Sequence, residues 1–349
     1  MSEAEILFDT RGPAGFVTLN RPKALNAVTR NMVGLLHAKL IEWANDPAVE
    51  RVVIRAAGEK AFSAGGDVRQ LYDWGQAGDP AIRDFYREEY RLNTFIKRYK
   101  KPYIALIDGI VMGGGVGVSF HGSHRVGGSR LMFAMPETGI GLFPDVGGTY
   151  FLPRLPHRIG TWLALTGARL GQADALWCGL ITEAVDSTDF EALETALVED
   201  SEPGQALTTH AAGPDGATLP GLAETIERCF AGETVETILA ALDADGGEWA
   251  AKQAAIIRAK SPTSLKIALR QMREGAKADF EECMKIEFRI VSRVIEGHEF
   301  FEGVRAVIID KDNAPKWRPA TLDAVSDADI DAYFARLPDE LDLSHLERL

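Results

Sequence analysis

The sequence predicts an α/β layered fold with a helical C-terminal region, on three observations. Short β-prone apolar runs alternate with helical patterns through roughly residue 190. Glycine-rich loops follow two of those runs, and from about residue 220 onward the apolar spacing is helical throughout. The expected division is an α/β core over 1–200 and a helical region with a tail over 220–349.

The opening reads as a hairpin, with "EILFDT" and "GFVTLN" flanking the turn "RGPAG". In "TRNMVGLLHAKLIEWAND", Met32, Val33, Leu36, Leu40 and Trp43 recur at helical spacing, with Thr29 or Asn31 as the cap and Pro47 just beyond the end. "RVVIRAAG" is a buried strand. "EKAFSAGGDVRQL" is a small-residue loop entering a helix, 79–100 is a longer polar helix, and "PYIALIDG" is a second buried strand. The stretch "EPGQALTTHAAGPDGATLPG" is expected to be a loop. Five helical patterns follow, from "GLAETIERCF" to "ADFEECMKIEFRIVSRVIEG".

The 349 residues are 46% hydrophobic, enough for a sizeable core, and carry a net charge of −13. That charge argues against a nucleic-acid partner, which needs clustered Lys and Arg. Cys178, Cys229 and Cys283 are far apart and lack metal or redox spacing, so they read as reduced, buried thiols in the cytoplasm. No export signal or membrane span is read, and no metal site is suggested.

"DGIVMGGGVGVSFHG" at 108–122 gives up side chains inside an apolar stretch. It matches neither the dinucleotide fingerprint nor the Walker loop, and His121 replaces the final glycine of a serine elbow. Close packing of a helix on a strand is one explanation. The second glycine loop, "FSAGGD", offers another: two such loops can aim two backbone N–H groups at one oxygen, with no Cβ in the way.

The stretches "NRPKALNAV", "KAFSAGGDV", "DGIVMGGGVGVS" and "FAMPETGIGLFPDVGGTYFLPRL" resemble the crotonase, or enoyl-CoA hydratase/isomerase, superfamily. The resemblance runs over nearly the whole chain. "REEY", "MPETGIGLFPDVGG", "SPTSLK" and "FFEGVRAVIIDKDNAPKW" make it closest to the 3-hydroxyisobutyryl-CoA hydrolase branch. It implies a spiral core of ββα units and an oxyanion hole from the N–H groups of Gly66 and Gly114. It assigns Lys23, Ala24, Leu25, Ala64, Gly65, Asp67 and Val68 to coenzyme A, with Lys311 and Lys316 as candidates for its phosphates. Coenzyme A is then part of the substrate and no separate cofactor is expected. Members commonly form trimers or hexamers, and the long tail here departs from the short hydratase ending.

Hydratases of the family use two glutamates. The first position is Gly117 here, the second is Glu137, and a further acid, Asp145, follows eight residues later. A thiolate of pKa about 8.5 leaves without a strong general acid, so thioester hydrolysis tolerates that loss. By resemblance Glu137 is nucleophile or general base, Asp145 a partner in proton transfer or positioning, and Glu89 a contact to the acyl group able to read its hydroxyl. The expected reaction is hydrolysis of a short 3-hydroxyacyl-CoA, a step of valine catabolism. A hydratase or isomerase, and a non-catalytic acyl-CoA-binding protein, are the alternatives.

Overall fold

The computed structural model describes residues 4–199, 202–344 and 346. The hairpin forms as β1 (Ile6–Arg11) and β2 (Ala14–Leu19), and α1 (Arg30–Asn45) starts at Thr29, whose side chain accepts the Met32 N–H. There follow β3 (Arg51–Ala56), β4 (Ala61–Ser63), α2 (Val68–Gln76), α3 (Ala81–Lys97), β5 (Tyr103–Ile107), β6 (Ile110–Met112), α4 (Gly114–Gly117), β7 (His124–Gly127), β8 (Met132–Ala134) and β9 (Glu183–Ala184).

These strands build two sheets. The larger has the order β1-β2-β3-β5-β7-β9 and is parallel except for β1; the smaller, β4-β6-β8, is parallel. Consecutive strands alternate between them, so β3 and β4, β5 and β6, and β7 and β8 each contribute one strand to either sheet. The chain thus spirals, advancing both sheets by one strand per turn. The short links after β4, β6 and β8 accordingly gather near one another.

Both faces of the large sheet are covered, which explains the unbroken apolar runs of β3 and β5. Val17, Val52, Ile54 and Ala105 enter the main core; Phe16, Val53, Ile104 and Val126 pack on the opposite side with Leu193, Leu197, Ala206 and Leu207. This second layer corrects the loop expected after residue 202. Residues Pro203–His210 are helical, because Pro203 sits in the first turn and Ala206 and Leu207 have an apolar face to bury against. Only the stretch before Leu219 remains irregular.

The C-terminal helices include Pro262–Gly275, Phe280–Val294 and Glu299–Val304. The tail is tied to them by Arg289 with Glu340, by Lys266 Nζ donating to Val325 O, and by Arg293 donating to Tyr333 O. No helix among the described residues is long and apolar enough to cross a membrane. Cys178, Cys229 and Cys283 are free and buried.

Helix Glu299–Val304 docks through a close approach: a Cβ on Gly303 would stand 2.3 Å from the Ile140 carbonyl carbon. Gly303→Ala is expected to cost about 1–3 kcal/mol in denaturant unfolding. Gly204→Ala, in an exposed helix with open space around it, should leave stability unchanged or raise it by up to about 1 kcal/mol.

Candidate active site

Two turns bring main-chain amides side by side. In the first, after β4, the amide of Ala64 donates to Leu25 O, that of Asp67 to Val28 O and that of Val68 to Gly66 O. In the second, after β6, Val116 and Gly117 donate to Gly113 O as α4 begins. Among the described residues the amides of Gly66 and Gly114 have no acceptor. A Cβ on Gly114 would stand 3.1 Å from Gly66 N, and one on Gly65 would stand 3.9 Å from Gly114 N. The turns meet only because both are glycine, and φ of +116° at Gly65 and +42° at Gly113 demands glycine there too.

Carboxylates surround the pair. The same Cβ on Gly114 would lie 2.7 Å from Glu89 Oε1, and one on Gly113 would lie 3.3 Å from Glu137 Oε1. Glu89 comes from α3, and Glu137 opens the 3-10 turn Glu137–Ile140 after β8. Asp145, on the following loop, accepts the Tyr90 hydroxyl proton at 2.8 Å. All three acids are buried, and neither Glu89 Oε1 nor Glu137 Oε2 has a hydrogen-bond partner among the described residues. A cavity of about 360 Å³ opens onto them, lined also by Ala64, Gly65, Gly66, Val68, Phe85, Tyr86, Gly113, Gly114, Ile140, Lys260, Val307 and Ile308.

Burial dominates the electrostatics. It raises Glu137 well above the usual carboxylate range, reinforced by the charge of Asp145 and opposed first by a hydrogen bond from its own backbone amide and then by Lys260. Burial likewise raises Glu89, with Asp145 and Glu287 adding to the effect. Asp145 is pushed up to about 7 by burial, against the Tyr90 hydrogen bond that favours its charged form. A cluster of acids that cannot all be charged together can hold and release protons near neutral pH.

Of the residues expected from the sequence to hold coenzyme A, Ala64, Gly65 and Val68 line the cavity. Lys23 and Ala24 lie in the exposed turn Pro22–Ala24, and Leu25 joins them to the site through its carbonyl on Ala64 N. Asp67 does not face the cavity: its carboxylate pairs with Arg21 at 3.0 Å and caps α2. Lys311 and Lys316 are exposed on the tail beyond the lining residues Val307 and Ile308. His121, lowered to about 3 by burial, is held by the Val146 carbonyl at 2.6 Å.

Position 117 has no room for an acid. A Cβ there would meet Asn93 Nδ2 at 2.8 Å and Val146 Cβ at 3.0 Å. Sequence reasoning missed Glu287, Tyr90 and Lys260. Glu287 lies on helix Phe280–Val294 and is fully buried; its two oxygens accept the amides of Gly147 and Thr149 at 2.9 Å each, fixing the loop that carries Asp145. Burial pushes it up to about 8, yet both oxygens accept, which is the bonding of a carboxylate. Its only trace in the sequence is an acid inside an otherwise apolar helical stripe, "CMKIEF".

The family model for enoyl-CoA hydratase/isomerase matches residues 14–334. The chain belongs to the enoyl-CoA hydratase/isomerase family. It is 48% identical to the mitochondrial 3-hydroxyisobutyryl-CoA hydrolase of Danio rerio, over 97% of this chain and 91% of that protein. It is 44% identical to the enzyme of the same name from Homo sapiens, over 95% and 89%. Among solved structures, a carnitinyl-CoA dehydratase from Mycobacterium thermoresistibile superposes with a TM-score of 0.94 at 41% identity, covering 98% of this chain and 99% of that one. An enoyl-CoA hydratase from Rhodobacter sphaeroides gives 0.91 at 42% identity, over 97% and 100%. These neighbours share the crotonase fold of the family, in agreement with the spiral seen here.

The relatives correct the expected cytoplasmic location, since they are named mitochondrial. Reduced thiols and the lack of a long apolar run describe a mitochondrial protein as well as a cytoplasmic one, so neither observation discriminated.

Glu287→Gln replaces one acceptor oxygen by an NH₂ group facing an N–H. The expected cost is about 1–3 kcal/mol in urea unfolding, with faster hydrogen exchange at the amides of Gly147 and Thr149.

Proposed function

We propose that the chain hydrolyses 3-hydroxyisobutyryl-CoA, with water, to 3-hydroxyisobutyrate and free CoA. The observation that carries this reading is the single cavity wall on which two unspent amides, Gly66 and Gly114, adjoin Glu137. The relatives named 3-hydroxyisobutyryl-CoA hydrolase supply the acyl group.

The thioester carbonyl oxygen accepts both amides, which stabilise the negative charge that develops on it. Glu137 attacks the carbonyl carbon, or takes a proton from a water that does, and the CoA thiolate departs; an anhydride formed by direct attack is then opened by water, which releases the acid and restores Glu137. Asp145 and Tyr90 serve proton transfer beside it, and Glu89 receives the 3-hydroxyl. No step requires a cofactor beyond the substrate's own CoA. The filled space at position 117 supports hydrolysis over hydration, because a second acid in the hydratase position has nowhere to go.

Free thiol release from 3-hydroxyisobutyryl-CoA, measured beside hydration of crotonyl-CoA, tests the assignment. Thiol release is expected from the first, and hydration without thiol release would falsify it. Glu137→Gln should lower kcat by about 10³-fold or more while CoA still binds as an inhibitor. Because Glu137 must be ionised and burial raises it, kcat should fall as pH drops through a midpoint above the ordinary glutamate value of about 4.3.

A further inference from the structure

Of the charged groups lining the cavity, Glu89, Glu137, Asp145 and Lys260, three are acids and one is a base. Lys260 occupies the bend between helices Glu248–Arg258 and Pro262–Gly275. Its backbone is pinned on both sides. The Lys260 amide donates to Ile257 O at 3.0 Å, and the next amide, Ser261, donates to Thr138 O at 3.3 Å, inside the turn that Glu137 opens. The side chain lies along that turn, for a Cβ on Gly139 would be 3.0 Å from Lys260 Nζ. No hydrogen bond or ion pair to a described residue engages the ammonium. It is half-buried, so it gives up part of its hydration without a protein partner in return.

We propose that Lys260 is a positioning residue for the hydrolysis, its ammonium keeping Glu137 in the carboxylate form in which it attacks or activates water. The role rests on the hydrolytic reading of the site. The acids that act on Glu137 work the opposite way: Asp145 from the neighbouring loop and Glu287 from helix Phe280–Val294; Glu89 and Tyr86 of α3 line the same cavity, and Tyr86, raised by burial, stays neutral. A buried acid among acids stays protonated, and a protonated Glu137 neither attacks nor accepts a proton. One unpaired ammonium on the same turn answers this without neutralising the acid by a direct ion pair, which would blunt it as a nucleophile. Lys260 is itself lowered by burial and raised by Glu137, so each group favours the other's charge.

The test uses the full-length protein labelled with [5-¹³C]glutamate, the Glu137 signal being assigned by its loss in Glu137→Gln. In Lys260→Met the Glu137 titration midpoint should rise by about one pH unit or more, while Lys260→Arg should stay near the wild type. The acid limb of single-turnover thiol release should move with it, and kcat lost at neutral pH should return at higher pH. If Lys260→Met does not fold, judged by circular dichroism, Lys260→Gln takes its place. An unmoved or lowered Glu137 midpoint overturns the proposal, as does a rise in KM alone with an unmoved midpoint, which would make Lys260 a contact to the CoA portion. Absence of thiol release by the wild type would sink the hydrolytic reading instead, and the Glu137 midpoint would still decide whether Lys260 charges it.

Discussion

Everything at the site depends on two backbone amides left unsatisfied within reach of one another. An N–H shielded from water without an acceptor costs free energy, and the fold tolerates one at the half-buried Gly66 and one at the buried Gly114 because each lies in a turn whose neighbouring amides are used. Neighbouring bonds to Leu25, Val28 and Gly113 carbonyls hold the turns rigid, so the free amides cannot swing away to find partners. Any side chain on Gly114 would collide with the Gly66 amide and with Glu89. Composition at these positions is therefore dictated by approach of main chain to main chain, not by packing.

The spiral supplies the approach. Each turn advances both sheets by one strand, so loops separated by about fifty residues in sequence are neighbours in space. The small sheet β4-β6-β8 places Gly66, Gly114 and Glu137 each shortly after one of its strands. The C-terminal helices then seal the cluster, with Glu287 bracing the Asp145 loop and the bend at Lys260 bracing the Glu137 turn. The acids are thereby held in a medium where their protonation is sensitive to single charges.

Much of this was legible in the sequence, for definite reasons. Strands buried on both faces leave continuous apolar runs, and the hairpin, α1 and the later helices carry caps and spacing that survive inspection of one chain. The amide turns were visible because two glycine-rich links follow apolar runs, although one such link alone reads equally well as close helix-on-strand packing. The helix Pro203–His210 was not, since its glycine, proline and threonine content resembles a loop and its two burying residues, Ala206 and Leu207, matter only once the sheet face exists. Glu89 was reached only through the family resemblance, not from the pattern of its own helix. It sits in a strongly charged helix and looks solvated, yet it is turned inward and 2% exposed. Glu287 left only the trace of an acid in an apolar helical stripe and Lys260 none, because their roles come from contacts across more than a hundred residues. Compartment was misread for a different reason: the thiols and hydropathy used for it do not depend on which reducing compartment surrounds the chain.

The cavity wall formed by Val307 and Ile308 comes from Arg305–Ile309, a segment wound as a π-helix just before the tail. It is separate from the β4 and β6 links that present the amides, so one part of the chamber wall is encoded in a stretch of chain that carries neither amide. Drift in that one segment can widen or narrow the cavity while leaving the two glycine turns undisturbed. A scaffold divided in this way lets a lineage change what it accepts without first losing how it reacts.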